Sequence, residues 1–314
     1  MPRPKIAAVV NIYDMRSHAQ HMVDRFLWGY GWNGRHHQPP IDVVAMYVDQ
    51  VPDIDLSRGR AKLFPDLKIY PTIAEALTRG GEKLAVDGVL LIGEHGIYPK
   101  NEKGQTLYPR YEFFQQVVDV YRDSGRSVPA FNDKHLSYRT DEALAMVQTA
   151  KDLNIPFMAG SSIPVTWRKP GLVLPRGCQI EEAIGLGYGE LEGYGIHALE
   201  GLQCMVERRQ GGETGVSSVQ AVQGEAMWKA ARDGRWSTDL LEAALKVVPH
   251  KKGDAKTNVG NKGAVFLVDY RDGTRGSVAM LNGHIGQFGF AAKLRGVADP
   301  VACWFVLQEE HPWE

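Results

Sequence analysis

Apolar and polar positions alternate in blocks along the first half of the chain. Short apolar runs at residues 5–10, 41–48, 68–70, 86–92, 128–131 and 155–159 read as strands. Val86, Val89, Leu90, Leu91 and Ile92 form a nearly continuous apolar run, as expected of a central strand covered on both faces. The stretches between these runs read as helices. Ser17 stands as an N-cap before Met22, Phe26 and Tyr30, which are spaced by four. A helix follows at residues 55–64, and Thr72 with Glu75 makes a capping box. Residues 112–124 bring Phe113, Val117, Val120 and Tyr121 to one face and stop at Gly125, and residues 141–153 start near Asp141. Residues 29–40, GYGWNGRHHQPP, are dense in breakers and read as a loop holding His36 and His37 in solvent. Alternation of this kind predicts an α/β layer on a parallel sheet.

The pattern changes near residue 170. Residues 171–177 look like a connection, and residues 190–209 contain a long helix with His197 and Glu200 one turn apart. Strands are expected at 216–223, 264–269 and 276–282, a helix at 237–247, and between them a loop rich in Gly, Lys and Asn. The expected organisation is a parallel-sheet α/β domain over residues 1–170 and an α+β domain with a mainly antiparallel sheet over residues 171–314.

Composition agrees with two domains and excludes several classes. A length of 314 residues exceeds one comfortable core. Lys+Arg 36 against Asp+Glu 37 leaves a formal net charge of -1, no electrostatic basis for binding nucleic acid or an anionic membrane. No apolar run approaches the ~18 residues of a membrane-spanning helix. Cys178, Cys204 and Cys303 are widely spaced without C-x-x-C, which suggests a reducing compartment. The start, MPRPKIAAVV, leads straight into a strand with no apolar leader, so a cytoplasmic location is expected.

Ionisable residues sit where these strands end. In open α/β sheets, ligands bind beyond the carboxyl ends of the strands. Glu94 and His95 follow one such end, and Asn132-Asp133-Lys134-His135 follow another. Asp49 ends the second long strand, where an acid would hold a ribose hydroxyl or cap a helix. Tyr98, Tyr108, Arg110, Trp167 and Arg168 are candidate substrate contacts, since aromatic faces and guanidinium forks suit sugars and carboxylates. Ser161 and Ser162 follow a strand, and turn chemistry explains them. No G-x-S-x-G elbow accompanies them.

These landmarks together resemble the glucose-fructose oxidoreductase and inositol dehydrogenase family (Gfo/Idh/MocA) over nearly the whole chain. His18-Ala19 resembles the His-Ala that opens the family's first helix. VVAMYVD, ending on Asp49, resembles its second strand with the ribose-side acid. IYPTIAEAL followed by VDGVLLIG is similar to its third strand, helix and fourth strand. Lys134 in FNDKH falls on the lysine of the family's Glu-Lys-Pro, and GYGIHALE places His197 on its catalytic histidine. The resemblance implies a Rossmann-like domain, NAD or NADP as cofactor, a small-molecule substrate and a homo-oligomer. It implies an oxidoreductase acting on the hydroxyl or carbonyl of a sugar, polyol or related compound. Lys134 would polarise the substrate oxygen and His197 would act as general base, with Glu94 and His95 beside them. Asp133, His135 and His284 would join Tyr98, Trp167 and Arg168 around the substrate.

The chain departs from that family at four places, one being GEHGIYP where the family has a Thr-Pro-type strand end. Asn11, Tyr13 and Arg16 stand at the Gly-x-Gly-x-x-Gly positions of the cofactor turn, so side chains replace the glycines that admit a pyrophosphate. Asp14 adds negative charge there, which Arg16 partly compensates. His135 replaces the proline after the lysine, and Gly193 replaces the aspartate before His197. Two further readings stay open. Glu94, His95, His135 and His197 could hold a divalent metal ion for a lyase, hydrolase or isomerase that needs no dinucleotide. Alternatively, the pocket binds a sugar-like compound without chemistry.

Overall fold

The computed structural model describes residues 2–32 and 34–306. The chain divides into two compact units, one running to Gly160 and one from Ser161 onward. Each has its own sheet.

In the first unit, β1 (Lys5–Val10) leads to α1 (His18–Trp28), and a hairpin of β2 (Tyr30–Trp32) and β3 (Arg35–His37) precedes β4 (Asp42–Val48). Then come α2 (Ser57–Leu63), β5 (Lys68–Tyr70), α3 (Ile73–Thr78), β6 (Gly88–Ile92), α4 (Arg110–Ser124), β7 (Ala130–Asp133), α5 (Thr140–Asp152) and β8 (Phe157–Gly160). The six-stranded sheet has the order β5-β4-β1-β6-β7-β8 and every pairing is parallel. This is the doubly wound, Rossmann-like order, and its direction reverses between β1 and β6. Side-chain alternation feeds both faces. Ala7, Val9, Val89 and Leu91 join the core under α3, α4 and α5. Ile6, Ala8, Val10 and Ile92 join the core that takes Ala19 and Val23 of α1. The caps foreseen at Ser17 and Thr72 are present, accepting from the backbone N–H groups of Gln20 and Glu75. Residues 29–40 are not a plain loop: β2 and β3 pair around Gly34, whose φ of 69° suits a tight turn, and Tyr30 stacks on His37.

In the second unit the strands are β9 (Trp167–Lys169), β10 (Ile180–Gly187), β11 (Val216–Gln223), β12 (Ala264–Tyr270), β13 (Arg275–Met280), β14 (Phe288–Leu294) and β15 (Val301–Val306). The helices are α6 (Leu191–Val206), α7 (Glu225–Arg232), α8 (Thr238–Leu245) and α9 (Ala255–Val259). The seven-stranded sheet, β11-β12-β13-β10-β14-β15-β9, is antiparallel except for the β10–β13 pair. Trp167–Lys169, read from sequence as the tail of the first domain, pairs with β15 and belongs to this sheet. Strands β10 and β14 lacked a sequence signal, and the apolar run of β15, VACWFV, was not read as a strand. IEEAIGLG and FGFAAKL are rich in Gly and Ala, because small residues let helices lie close to the sheet.

Gly187 shows how close. A Cβ there would stand 2.6 Å from Ala198 Cβ on α6 and 2.7 Å from Met280 Sδ on β13. Gly187→Ala is therefore expected to cost about 1–3 kcal/mol by overpacking. Urea unfolding should show a lower midpoint with an unchanged slope; an unmoved midpoint would refute this packing.

Candidate functional site

Three chain segments meet at the carboxyl ends of β6 and β7. After β6 the chain passes through Gly93, where a Cβ would come within 2.6 Å of Arg110 Cγ. Only glycine leaves room for the Arg110 side chain to cross. Glu94 follows, then His95 at φ 67° and Gly96 at φ 91°. After β7, Lys134 also has a left-handed backbone, φ 62°, and its N–H donates to Gly160 O at 3.1 Å. For non-glycine residues this region is costly, and such residues gather at functional sites. Arg79 and Asn154 share it only as helix-end residues.

Glu94 is the hub. One carboxylate oxygen accepts from Lys134 Nζ at 3.1 Å, and the other accepts from Arg110. All three side chains are buried, Arg110 at 1% exposure. Burial works against the Glu94 charge, but Lys134 and Arg110 outweigh it and hold its pKa below the ordinary range. Arg110 is the first residue of α4, where a helix dipole disfavours a cation, so Glu94 offsets a local penalty as well. Arg110 also donates to His135 Nε2 at 3.0 Å and lies over the Tyr108 ring at 4.8 Å. Burial and the Arg110 charge bring the His135 pKa down to about 4, so the ring is neutral at neutral pH. Arg110, read from sequence as a substrate contact, is instead an internal strut.

A second pair lies alongside. His18 Nδ1 is 2.6 Å from Asp133 Oδ2. The His95 ring meets His18 edge-on at 4.9 Å, and His95 Nδ1 accepts from the His18 backbone N–H at 3.4 Å. Burial, then His18, lower the His95 pKa. Glu94, His95, Asp133, Lys134 and His135 are thus brought together, as their strand-end positions suggested. His18, not read from sequence as a site residue, is brought to the same place because it opens the helix after β1.

The residues read as the cofactor turn do not form a cradle. Tyr13 is fully buried, its hydroxyl donates to Asp24 at 2.5 Å, and burial with Asp24 raises its pKa. Asp24 also takes both arms of Arg60, at 2.9 and 2.8 Å. Tyr13 is a core residue tied into an ion pair, not a phosphate contact. Asn11 is fully buried and donates to His95 O at 3.3 Å. Arg16 is exposed, with φ 69°. Asp49 accepts from Tyr47 at 2.8 Å and from Tyr98 at 2.7 Å, one bond at each oxygen. Gln50 and Ile97 exchange hydrogen bonds at 2.9 Å in both directions. Residues 94–98 therefore strap the carboxyl ends of β1 and β4, beside the point where the strand order reverses. A dinucleotide held in the usual manner, pyrophosphate on the β1 turn and ribose on Asp49, does not fit these residues. Tyr98, bonded to Asp49 and edge-on to Tyr108 at 5.5 Å, belongs to the strap and not to a substrate pocket.

The remaining candidates lie in the second unit. His197, on α6, has its Nδ1 hydrogen-bonded to Ser161 Oγ and its ring against Tyr194 and Phe288. Glu200 accepts from the Ser161 N–H at 2.7 Å. His284 is buried, receives Asn258 Nδ2 at 3.0 Å and faces His250. It is a satisfied core histidine, not a substrate group. Trp167 is half-exposed on the edge strand β9. Arg168 donates to Pro164 O at 3.0 Å and lies over Phe305 at 5.6 Å. Among the described residues no group of three or more His, Cys, Asp or Glu side chains is placed to hold a metal ion. Glu94, the carboxylate of the metal reading, faces two cations that would repel one.

No protein-family model and no curated protein sequence matches the chain. Solved structures do. GenD2 from gentamicin A biosynthesis, in complex with NAD, is 14% identical with a TM-score of 0.57, over 97% of this chain and 73% of that one. A scyllo-inositol dehydrogenase from Lactobacillus casei, with NAD(H) and scyllo-inositol bound, is 9% identical with a TM-score of 0.55, over 95% and 75%. A myo-inositol 2-dehydrogenase from Lactobacillus plantarum is 12% identical with a TM-score of 0.51, over 95% and 76%. The chain therefore has the two-domain fold of these proteins, a parallel Rossmann-like sheet followed by a mainly antiparallel one. Among the described residues no helix is long and apolar enough to cross a membrane.

The buried neutral His135 makes stability depend on pH. An unfolded histidine takes its proton near pH 6.5, whereas His135 resists until about 4. Between these values the unfolded chain binds more protons, so stability falls as pH drops. His21, brought to about 4 by burial and by Arg25, acts in the same window. The urea midpoint should fall from about pH 7 to about pH 5, and less steeply in His135→Gln; equal slopes in parent and variant would refute this account.

Proposed function

We propose that this chain is an enzyme of the oxidoreductase type acting on the hydroxyl or carbonyl group of a sugar, polyol or related compound, with Lys134 holding the reacting oxygen. One observation carries this reading. The Lys134 ammonium is fixed at the carboxyl end of β7 by a carboxylate that Arg110 also neutralises. An ammonium has three donors and Glu94 takes one, so the group can also donate to a substrate oxygen. Donated there, its charge stabilises a developing alkoxide. The resemblance gives His197 the matching role of proton acceptor, and Ser161 fixes that ring within its own unit. The dehydrogenase fold supports the oxidoreductase class, in which NAD or NADP would supply hydride exchange. A homo-oligomer is proposed on the resemblance as well.

The strap over β1 and β4 favours a second reading: proton transfer beside a carbonyl of the same compounds, by an isomerase or lyase without a hydride carrier. Calorimetric titration with NAD and NADP, followed by assays of reduced nicotinamide with inositols and aldoses, separates the two. Saturable binding with cofactor reduction is expected of the oxidoreductase. Absence of binding at millimolar cofactor would reject that class, and carbon-bound hydrogen exchange in deuterated water would then support the second reading. Under either reading Lys134→Met should lower kcat/KM by about 100-fold or more, with Lys134→Arg partly active. Full activity in Lys134→Met would remove Lys134 from the mechanism.

A further inference from the structure

We propose that His284 is the pin of a proton-operated latch: the neutral ring holds α9 and the chain before it against the turn between β13 and β14, and a proton on the ring opens the latch. The latch lies wholly in the second unit and does not depend on the role given to Lys134.

Donor and acceptor roles at this histidine are fixed by its neighbours. Asn258 Nδ2 donates to Lys252 O at 3.0 Å, and a carbonyl oxygen only accepts. The same amide nitrogen gives its other hydrogen to His284 Nδ1 at 3.0 Å. Nδ1 must therefore offer a lone pair, which the neutral ring does with its proton on Nε2. A proton on Nδ1 would face an N–H. Turning the amide to present its oxygen would take the donor away from Lys252 O. Asn258 thus cannot serve both partners once His284 is charged. The ring is 2% exposed, so water does not make good the lost bond there. Backbone contacts meet at the same place. The Lys251 N–H donates to His284 O at 2.8 Å, and His250 pairs with Ile285 in an isolated bridge. Behind the latch, α9 sends Ala255 and Val259 into the apolar cluster that holds Leu281 and Ile285.

The charged and titratable groups facing His284 are Glu242 on α8, His250 and Lys251 after α8, and Asp254 at the cap of α9. The His250 ring stands 5.2 Å away and gives its own Nδ1 hydrogen to Val248 O at 2.9 Å. Burial, then His250, hold the His284 pKa below the ordinary range, against the pull of Asp254 and Glu242. In the open segment water reaches the ring, which then takes its proton near pH 6.5. Below that pH the open form binds more protons than the latched form, and opening gains up to about tenfold per pH unit. Above it both forms are neutral at His284, and the latch is indifferent to pH.

Hydrogen–deuterium exchange of the full chain, read by peptide mass spectrometry between about pH 8 and pH 5 and corrected for the intrinsic exchange rate, tests the latch. Protection over residues 251–262 should be level down to about pH 7 and then fall by up to about tenfold per pH unit, while β12 and β13 keep theirs. His284→Gln, which cannot take a proton, should abolish the fall, and His250→Gln should leave it in place. Asn258 is only half-buried, so Asn258→Asp serves even if His284→Gln does not fold. Its carboxylate accepts from a protonated ring, and protection should then no longer fall with acid. Level protection in the parent down to about pH 5 would overturn the latch, as would a fall shared equally by β12 and β13. A fall that survives in His284→Gln, disappears in His250→Gln or matches the parent in Asn258→Asp would overturn it too.

Discussion

The first unit turns on a buried carboxylate shared by two cations. Glu94 leaves β6 at the centre of the sheet and meets Lys134 from β7 and Arg110 from α4. Removing Glu94 would leave two buried cations without their shared counter-charge in a poorly hydrated place, so the carboxylate is the member the cluster cannot lose. Glycine at position 93 exists to let Arg110 through. The left-handed backbones of His95 and Lys134 bring their side chains to the same end of the sheet. Local strain of this kind persists only where surrounding contacts hold it. Here the ion pairs and the Lys134–Gly160 hydrogen bond do so.

Around this hub, charges balance. Glu94 and Asp133 stand against Arg110 and Lys134, and His135 is kept neutral by burial and by its cationic neighbour. Such a cluster holds polar groups in fixed positions, as a catalytic site requires. Both oxygens of Glu94 face cations, Lys134 and Arg110.

The strap formed by residues 94–98 separates this chain from the usual use of its fold. The doubly wound sheet places a crevice between β1 and β6, and dinucleotides bind across such a crevice. Here Asn11 reaches His95 O, Gln50 clasps Ile97, and two tyrosines hold Asp49. Fold and site therefore carry different information. The fold is that of GenD2 and of a scyllo-inositol dehydrogenase, while Asn11 and Tyr13 at the β1 turn belong to the protein's own core.

Periodicity alone determined the parallel layer of the first unit, because buried strands need continuous apolar runs and their helices need apolar stripes. Glu94, His95, Asp133, Lys134 and His135 were legible as well, since strand ends in such a sheet point to one edge. The Gly- and Ala-rich strands β10 and β14 were not, because close helix packing there replaced the β-branched residues that mark a strand. Tertiary structure alone decided that Tyr13 goes inward to Asp24, that Arg110 is a strut, and that His18 meets Asp133 across 115 positions. Each of these depends on which distant side chain arrives opposite, and spacing along a chain carries no record of that.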